Sequence, residues 1–441
     1  MARGAVAGAR AVAVAVLRDI ERRRGFSNRV LSEHLERHPD MAARDRGLVT
    51  HLVYGTLRHR TRLDHHIDAH AKKPKGIKGE VRELLRVGAL ELLELGHPPH
   101  AALSEAAKTV RGLAGGDRLR GLVHAILSKV ADEGETLDAE MAARFPQAAL
   151  IDRWSIPPWL AASWVEQLGA ERALRRALRL AAPPPIDLRV DLSRTDRATV
   201  LARLQADHPR ARFEAPADHP QALRVHGAGD VAYGPVHGEG LVSVQGLAAQ
   251  QAAIWLDPQP GQSVLDACAG MGTKTQQLAE LMRREGTLVA ADASAIRLSA
   301  HDDAHVRGGL DTDTLDLRVC EGDLTGDVAG VDDHGPYDRV LLDVPCTGLG
   351  NLARHPEIRW FRHADDIADR IPLQDGLLAR CLRRVAPGGR LVYAVCSFSP
   401  AEGPDLVAPV VARHGATVVR ERTWTPEGDD TEGFYLAEIR V

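Results

Sequence analysis

Two cysteines in this 441-residue chain stand where a thiol can do chemistry. Cys346 closely follows the apolar run 341–344, and Cys396 directly follows the apolar run 391–395. Such runs are typical of strands buried on both faces of a parallel sheet, and ligands bind at the carboxyl ends of these strands. If the two strands are neighbours, their backbones lie about 4.8 Å apart and both sulfurs can reach one substrate. A thiolate there would act as a nucleophile in covalent catalysis.

The other cysteines and a histidine pair are interpreted as structural. Cys268, Cys320 and Cys381 are expected to be small buried hydrophobic residues, the usual role of a free cysteine. No CxxC pair occurs, which is typical of a reducing cytoplasm and argues against a disulfide framework or a cysteine zinc site. His301 and His305 have the spacing of zinc ligands, but they lack the glutamate of a zinc protease and are expected on an outer helix. The sequence therefore predicts no metal site.

A glycine-containing loop follows the predicted strand 263–266. Its members are Cys268, Ala269, Gly270, Met271, Gly272, Thr273 and Lys274. Glycines at a strand-to-helix turn let the backbone approach a ligand closely. A P-loop would need glycine at Thr273, and a dinucleotide fingerprint would need glycine at Thr275, so neither is predicted. What remains is a loop for an adenosine-type ligand without phosphates.

Three aspartates close successive predicted strands. Asp292 lies about 20 residues past the glycines, where a carboxylate accepts hydrogen bonds from ribose hydroxyls. Asp323 is a candidate acceptor for an adenine amino group, and Asp343 ends the strand before Cys346. Each alone also fits a helix cap or a solvated loop carboxylate. Together they predict a pocket for S-adenosylmethionine.

Alternating strands and helices from residue 241 onward must position these residues. Strands are predicted at 263–266, 287–292, 315–319, 337–343 and 390–396, with two more near Thr417 and Phe434. Strand and helix alternation of this kind predicts an α/β domain with a parallel, doubly wound sheet.

Two further domains precede this one. Apolar residues recur at helical spacing through residues 1–135, which predicts an all-α bundle. Residues 140–240 are mixed, because Pro157 and Pro158 open a helix and residues 186–190 read as a strand. This part is predicted to be a small α+β connector.

Basic residues cluster in the helical domain, as Arg22, Arg23 and Arg24, then Arg58, Arg60 and Arg62, then Lys72, Lys73, Lys75 and Lys78. A charge run is usually a solvated face, whereas three clusters in one domain favour RNA contact, and both interpretations stay open. The formal net charge is -4 and the pI is near 6.6, so a nucleic-acid site must be a local patch. Aromatic content of 4% argues against a broad stacking surface.

The composition also indicates where the protein works. No segment approaches the roughly 18 consecutive apolar residues of a membrane span. The apolar start runs into the charged residues 19–24 without a cleavage site, which predicts an amphipathic first helix. We expect a cytoplasmic protein that does not associate with membranes, a monomer with no obligate protein partner.

The two cysteine motifs resemble those of the RNA cytosine-C5 methyltransferases. Asp343-Val344-Pro345-Cys346-Thr347-Gly348 and Cys396-Ser397 carry the likeness, which is strongest to the RsmB (Sun/Fmu) family and spans nearly the whole chain. Residues 43–46, 54–58 and 73–74 are similar to that family's NusB-like helical domain. Residues 183–190 are similar to its connector, and residues 242–245 and 354–360 to parts of its catalytic region. The resemblance implies a C-terminal Rossmann-like domain of the class I S-adenosylmethionine-dependent methyltransferases, residues 241–441.

The resemblance also implies roles for residues. It implies that Cys396 is the nucleophile and that Cys346 assists product release. The residues that it implies for binding S-adenosylmethionine are Cys268 to Lys274, Asp292, Asp323 and Asp343. The expected substrate is 16S ribosomal RNA of the small subunit or its precursor, at cytosine 967. In this chain Gly270-Met271-Gly272-Thr273-Lys274 stands where the family has Ala-Pro-Gly-Gly-Lys, and Pro400-Ala401-Glu402-Gly403 where it has Pro-Glu-Glu-Asn.

The chemistry that this implies is covalent. C5 of cytosine is a poor nucleophile, and a thiolate added to C6 makes C5 electron-rich. Cys396 is expected to be that thiolate, Asp343 to hydrogen-bond or protonate N3, and Cys346 to assist elimination. A 5-methylcytosine methyltransferase for another rRNA or a tRNA would use the same residues. A non-catalytic RNA-binding assembly factor is the alternative from a different class.

Overall fold

Helical apolar spacing in the first part of the chain and strand-like runs in the second give two differently built units. The computed structural model describes residues 8–113, 116–228, 231 and 234–441. Contacts group Met1–Pro183 with Leu352–His363, and Pro184–Asn351 with Ala364–Val441. The first seven residues of the predicted helical domain lie outside the described part. The finer domain boundaries near residues 135–140 and 240 stay predictions; helix α7 runs through residue 135.

The described part of the first unit is helical, as predicted. Its helices are α1 (Ala9–Arg23), α2 (Ser27–Glu36), α3 (Ala43–Arg58), α4 (Arg60–His70), α5 (Glu80–Leu93), α6 (Pro99–Val110), α7 (Gly116–Ala143), α8 (Gln147–Asp152), α9 (Pro158–Leu168) and α10 (Ala170–Ala181), with a 3₁₀ turn at Pro74–Gly76. Their apolar stripes form one core around Leu52, Leu63 and Leu84. Pro157 and Pro158 open α9 because a proline at the first helical position loses no hydrogen bond.

A segment from late in the chain completes this helical unit. Leu352–His363, which includes α18 (Ile358–Phe361), belongs to it. Trp360 and Phe361 pack against its core. The Arg359 guanidinium donates to the carbonyls of Arg58, at 3.1 Å, and Leu180, at 2.7 Å. The Glu357 carboxylate accepts from the backbone N–H of Ser27 at 2.9 Å.

One predicted basic cluster is largely buried, which corrects its interpretation as a face for solvent or RNA. Arg58 and Arg62 expose 4% and 2% of their surface. Arg62 forms ion pairs with Glu94 and Asp138, because a guanidinium inside a helical core needs carboxylate partners. The four lysines of the cluster 72–78 are exposed, as are Arg22, Arg23 and Arg24.

The second unit begins with a small four-stranded sheet. Its order is β2-β3-β1-β4, all antiparallel, from β1 (Ile186–Val190), β2 (Arg212–Glu214), β3 (Ala222–His226) and β4 (Val242–Val244), with α11 (Arg197–Asp207) and α12 (Pro235–Gly238). The strand predicted at residues 186–190 is confirmed. The mixed α+β character of the connector is confirmed as well.

A seven-stranded sheet forms the rest of this unit, in the order β10-β11-β9-β8-β5-β6-β7. The strands are β5 (Ser263–Ala267), β6 (Gly286–Asp292), β7 (Leu315–Glu321), β8 (Tyr337–Asp343), β9 (Val385–Val395), β10 (Thr417–Trp424) and β11 (Phe434–Arg440). The helices are α13 (Leu247–Leu256), α14 (Thr273–Leu281), α15 (Ala295–Leu298), α16 (His301–Gly308), α17 (Ala329–Asp332), α19 (Asp365–Arg383), α20 (Pro404–Arg413) and α21 (Pro426–Asp429), with 3₁₀ turns at Leu349–Asn351 and Pro400–Glu402.

Strands β5 to β9 are parallel, and all five were predicted. The two late strands depart from the predicted parallel sheet, because β11 runs antiparallel to both β9 and β10. Only the short stretch with α21 joins β10 to β11, and a parallel pair would need a longer crossover. Two apolar clusters, around Val340 and around Leu341, cover opposite faces of the sheet. Within the described residues, no helix has the length and apolarity to cross a bilayer.

Candidate active site

The two cysteine motifs meet at the carboxyl ends of β8 and β9. These strands are parallel neighbours, with Asp343 opposite Ala394, which meets the condition under which both sulfurs could reach one substrate. The Sγ atoms of Cys346 and Cys396 lie 2.8 Å apart. Hydrogen bonding to Cys396 and burial together raise the pKa of the Cys346 thiol well above its usual value. Cys346 therefore keeps its proton near neutral pH, and either thiol can be the donor in the contact between the two sulfurs.

A lysine–aspartate pair lies on the same edge of the sheet. Nζ of Lys274 donates to Oδ2 of Asp343 at 2.6 Å. Burial alone would lower the pKa of Lys274, but the neighbouring Asp343 carboxylate raises it above its usual value. Lys274 also lies over the ring of Phe434, 5.7 Å from its centroid. The pair joins the predicted cofactor loop to the strand that precedes Cys346.

Left-handed backbone shapes the loop between β5 and α14. Cys268 has φ +62°, a conformation that glycine adopts far more readily, and Gly270 and Gly272 have φ +60° and +83°. The Cys268 thiol is buried, which raises its pKa well above the usual value. The backbone N–H of Gly270 donates to Oδ2 of Asp292 at 3.0 Å, so the structure brings this predicted aspartate onto the loop.

The three predicted carboxylates have different surroundings. Asp292 is 1% exposed and also accepts from Ser294 N–H, at 2.9 Å, and from the Arg297 guanidinium. Asp323 is exposed, and it accepts from the N–H and the hydroxyl of Thr325 at 3.0 and 2.8 Å, which lowers its pKa. Asp323 thus closes its own turn, whereas Asp292 and Asp343 are each bonded to the cofactor loop.

His301 contacts the loop, although the sequence led us to expect it on an outer helix face. It is fully buried, and its Nε2 lies 3.1 Å from the carbonyl of Gly270. Its Nδ1 lies 3.3 Å from Nε2 of His305. Burial lowers the pKa of both imidazoles, which favours a neutral pair that donates along this chain of hydrogen bonds to the loop. The i, i+4 spacing of His301 and His305 was the sequence signal considered, and it was set aside as a metal site without pointing to the loop.

Asp266 is a buried carboxylate that the motif analysis did not single out. It is the last residue but one of β5, two positions before Cys268, and its Oδ2 accepts from the Thr275 hydroxyl at 2.6 Å. Its buried Oδ1 has no hydrogen-bond partner among the described residues. Burial raises its pKa to about 7. Its position could have been noticed in the sequence, because Asp266 lies shortly before Cys268, near the carboxyl end of the strand that leads into the loop.

The surroundings of the loop fit S-adenosylmethionine. That molecule carries an ammonium and a sulfonium, and the buried Oδ1 of Asp266 is an acceptor that no described group satisfies. The loop is bonded to a carboxylate at the end of the neighbouring strand, where a ribose would be held. Met271 is 64% exposed, so the loop is open on one side.

Family models cover most of the chain. Residues 7–132 match the NusB family, residues 156–232 the ferredoxin-like domain of RsmF/B-like methyltransferases, and residues 253–440 the 16S rRNA methyltransferase RsmB/F model. A relative named "Probable ribosomal RNA small subunit methyltransferase B" in Synechocystis is 33% identical, over 98% of this chain and 99% of the relative. The chain belongs to the RsmB/F family of 16S rRNA methyltransferases.

Other relatives and solved structures agree with that membership. "Ribosomal RNA small subunit methyltransferase B" of Salmonella paratyphi B is 32% identical, over 90% of this chain and 91% of its own. The crystal structure of PH0851 has a TM-score of 0.79 at 22% identity, over 99% of both chains, which shows the shared fold. A methyltransferase homologue from Pyrococcus horikoshii has a TM-score of 0.57 at 25% identity, over 66% of this chain and 97% of its own. RsmB/F membership gives the class of reaction, S-adenosylmethionine-dependent methylation of ribosomal RNA.

Proposed function

We propose that this protein methylates C5 of a cytosine in 16S ribosomal RNA, at the position numbered 967, through a covalent bond between Cys396 Sγ and C6. The observation that carries the proposal is the pair of thiols 2.8 Å apart at the ends of two adjacent strands. One thiol alone fits a buried structural cysteine. Two thiols in one crevice at the ends of neighbouring strands fit a nucleophile and a second group that assists product release.

Cys396 starts the reaction in this proposal. Its thiolate adds to C6, the C5=C6 π bond breaks, and the electron pair is delocalised between C5 and the N3 side of the ring. C5 then forms its bond to the methyl group that bound S-adenosylmethionine would supply, the S–CH3 bond breaking with its electron pair left on sulfur as a neutral thioether. The target base must leave its stack to reach the crevice, so a loop or an opened hairpin is the expected form of the RNA.

Asp343 and Lys274 act at the N3 edge of the ring. Lys274 occupies Oδ2 of Asp343, so Oδ1 is the atom that we assign to N3. Proton transfer or a hydrogen bond there stabilises the charge that develops when C6 is attacked. Asp343 acts in this way when its Oδ1 carries a proton, and once that proton has passed to N3 the charged Lys274 stabilises the carboxylate that is left.

Cys346 completes the reaction by assisting release. After methyl transfer the C5 proton must leave, the electrons of that C–H bond re-form the C5=C6 bond, and the Cys396–C6 bond breaks. We assign the removal of this proton to Cys346 after its own proton has left, directly or through a water molecule. Because the pKa of Cys346 is raised, the loss of its thiol proton should become faster as the pH rises, and release with it.

The remaining residues bind the two substrates. S-adenosylmethionine is assigned to Cys268, Ala269, Gly270, Met271, Gly272, Thr273, Lys274, Asp292, Asp323 and Asp343. Asp323 must exchange its hydrogen bonds to Thr325 if it is to bind adenine. Exposed lysines 72, 73, 75 and 78 are the proposed RNA contacts of the helical unit, because phosphates select exposed basic side chains.

Bisulfite sequencing of ribosomal RNA tests the proposal. Strains that carry the wild-type gene, a deletion, Cys396→Ala, Cys346→Ala or Cys320→Ala are compared. Cys320 is the matched control, since it is also partly buried but lies outside the crevice, near Gly330. We expect one 5-methylcytosine of 16S rRNA to vanish in the deletion and in Cys396→Ala and to survive in Cys320→Ala.

Other outcomes would redirect the proposal. A mark that survives in Cys396→Ala excludes this residue as the nucleophile. An unchanged 16S rRNA together with a lost tRNA or 23S mark would move the substrate, and no change in any RNA would favour a binding role in assembly. Covalent RNA–protein complexes that persist in denaturing gels only with Cys346→Ala would support its part in release.

A further inference from the structure

Glu402 is a buried carboxylate close to the cysteine pair that the mechanism above does not use. It ends the 3₁₀ turn Pro400–Glu402, six residues after Cys396, and none of its surface is exposed. Its Oε1 accepts from the backbone N–H of Thr347 at 2.8 Å, and its Oε2 accepts from the hydroxyl of Thr347 at 2.5 Å. The loop after Cys396 therefore holds the residue directly after Cys346.

A glutamine extends this contact to the other side of Cys346. Nε2 of Gln374, on α19, donates to Oε1 of Glu402 at 3.2 Å and to the carbonyl of Pro345 at 3.0 Å. The hydroxyl of Tyr393, on β9, donates to the backbone carbonyl of Glu402 at 2.8 Å and fixes the turn from behind. Both neighbours of Cys346 are thus held through one carboxylate.

The buried carboxylate of Glu402 has only neutral hydrogen-bond partners among the contacts described above, which is unusual for a residue that serves stability alone. A buried carboxylate is costly to desolvate, and the partners Thr347 and Gln374 are neutral. A cysteine side chain has a single rotatable bond to its sulfur, so Sγ of Cys346 lies in one of three staggered positions whose places are set by the backbone at Pro345–Thr347. A carboxylate with two oxygens can hold the N–H and the hydroxyl of one residue together.

We propose that Glu402 is a positioning residue that holds the Cys346 thiol against Cys396 for product release. The role in product release rests on the proposed function. The claim that Glu402 fixes the position of the Cys346 thiol does not depend on that function. The hydrogen bond with Cys396 and burial raise the pKa of Cys346, and the negative charge of Glu402 adds to this shift. It thereby helps to keep Cys346 a thiol while Cys396 attacks.

A thiol-pairing assay tests the geometry without RNA or cofactor. Diamide takes one hydrogen from each thiol onto its N=N bond, which gives a hydrazine and a Cys346–Cys396 disulfide. We compare Glu402→Ala with Glu402→Gln, which both lack the charge, while only glutamine can still accept from the Thr347 N–H and pair with its hydroxyl. The difference between them therefore reports position. We expect disulfide formation to be about tenfold slower in Glu402→Ala than in Glu402→Gln, since preorganised groups react faster.

A second assay follows catalysis on 16S rRNA. In Glu402→Ala the covalent RNA–protein complex should form and then persist, as expected for Cys346→Ala, whereas Glu402→Gln should turn over. S-adenosylmethionine affinity and the melting temperature identify a variant that is merely unfolded. If Glu402→Ala is unfolded, Thr347→Val is used instead, because it replaces only the hydroxyl that bonds Glu402. It should also slow disulfide formation and prolong the covalent complex, but less strongly.

The outcomes separate the two proposals. Equal disulfide rates in Glu402→Ala and Glu402→Gln would overturn the positioning role, whatever the RNA assay gives. Slower pairing together with a covalent complex that still forms in Cys396→Ala would retain Glu402 as a positioning residue and reject the proposed nucleophile. If a folded Glu402→Ala protein forms the covalent complex and releases its product with equally reduced rates, Glu402 has no specific role in release.

Discussion

Replacing Asp266 with asparagine should remove a pH-dependent loss of stability. Burial raises the pKa of this carboxyl from 3.8 to about 7 in the folded protein, so the folded state binds its proton more tightly than the unfolded state. The contribution of protonated Asp266 is fully present below about pH 4 and is lost as the pH rises towards 7. Lys274 opposes the shift, and the charges of Asp292 and Asp343 add to it.

The magnitude follows from the size of the shift. About three pKa units correspond to roughly 4 kcal/mol of unfolding free energy at high pH, of which about 2.5 kcal/mol develops between pH 5 and pH 8. Asparagine does not titrate, and the cost or gain of its amide is the same at both pH values. The free energy of unfolding of the variant should therefore rise relative to wild type by about 2.5 kcal/mol over this range, which is roughly 3 °C in the melting temperature of a 441-residue chain.

Thermal unfolding of the full chain at pH 5 and pH 8 measures this gain. The matched control is Asp313→Asn, at an exposed carboxylate, which should shift the melting temperature equally at both pH values. If the difference between Asp266→Asn and wild type is the same at pH 5 and pH 8, Asp266 does not change its charge in the folded protein over this range. The burial argument would then be wrong.

Two further predictions concern the support of the cofactor loop. Arg189 bonds both oxygens of Glu280 at 2.9 Å and the carbonyl of Thr273 at 3.0 Å, so Arg189→Ala should destabilise the protein by about 3–5 kcal/mol by leaving Glu280 buried without its cation. Thermal melts test this, and Arg189→Met with Glu280→Leu should recover most of the loss; no recovery would contradict it. His301→Val removes the hydrogen bond to Gly270, worth about 1 kcal/mol, and should weaken S-adenosylmethionine binding about fivefold by calorimetry. An unchanged affinity would show that the loop holds its shape without His301.

Much of the catalytic sheet could be predicted because four of its parallel strands, β5, β6, β8 and β9, contain a short apolar run, whereas β7 alternates apolar and polar residues. The strand-end positions of Cys346 and Cys396 followed from two such runs and the rule that ligands bind at strand ends, whereas the structure showed that β8 pairs with β9. The resemblance to a family supplied the roles, and the matching models show the membership.

What could not be predicted depends on partners that are distant in sequence. Arg62 reads like its charged neighbours, and only the packing of helices around Asp138 makes it buried. His301 has the spacing of a metal ligand, and only the fold shows that it contacts Gly270. Glu402 was noted as part of a family motif, but its 55-residue separation from Thr347 left no local signal of the contact.

The late segment Leu352–His363 limits how this protein can be divided. Because it belongs to the helical unit, the polypeptide leaves the catalytic unit shortly after Cys346 and returns to it at Ala364. A fragment that starts at residue 184 keeps Trp360 and Phe361 but lacks the helical core that buries them. A fragment that ends at residue 183 loses part of its own core. Recombination at residues 183–184 therefore has to carry the segment Leu352–His363 together with the helical unit if that unit is to keep all of its core.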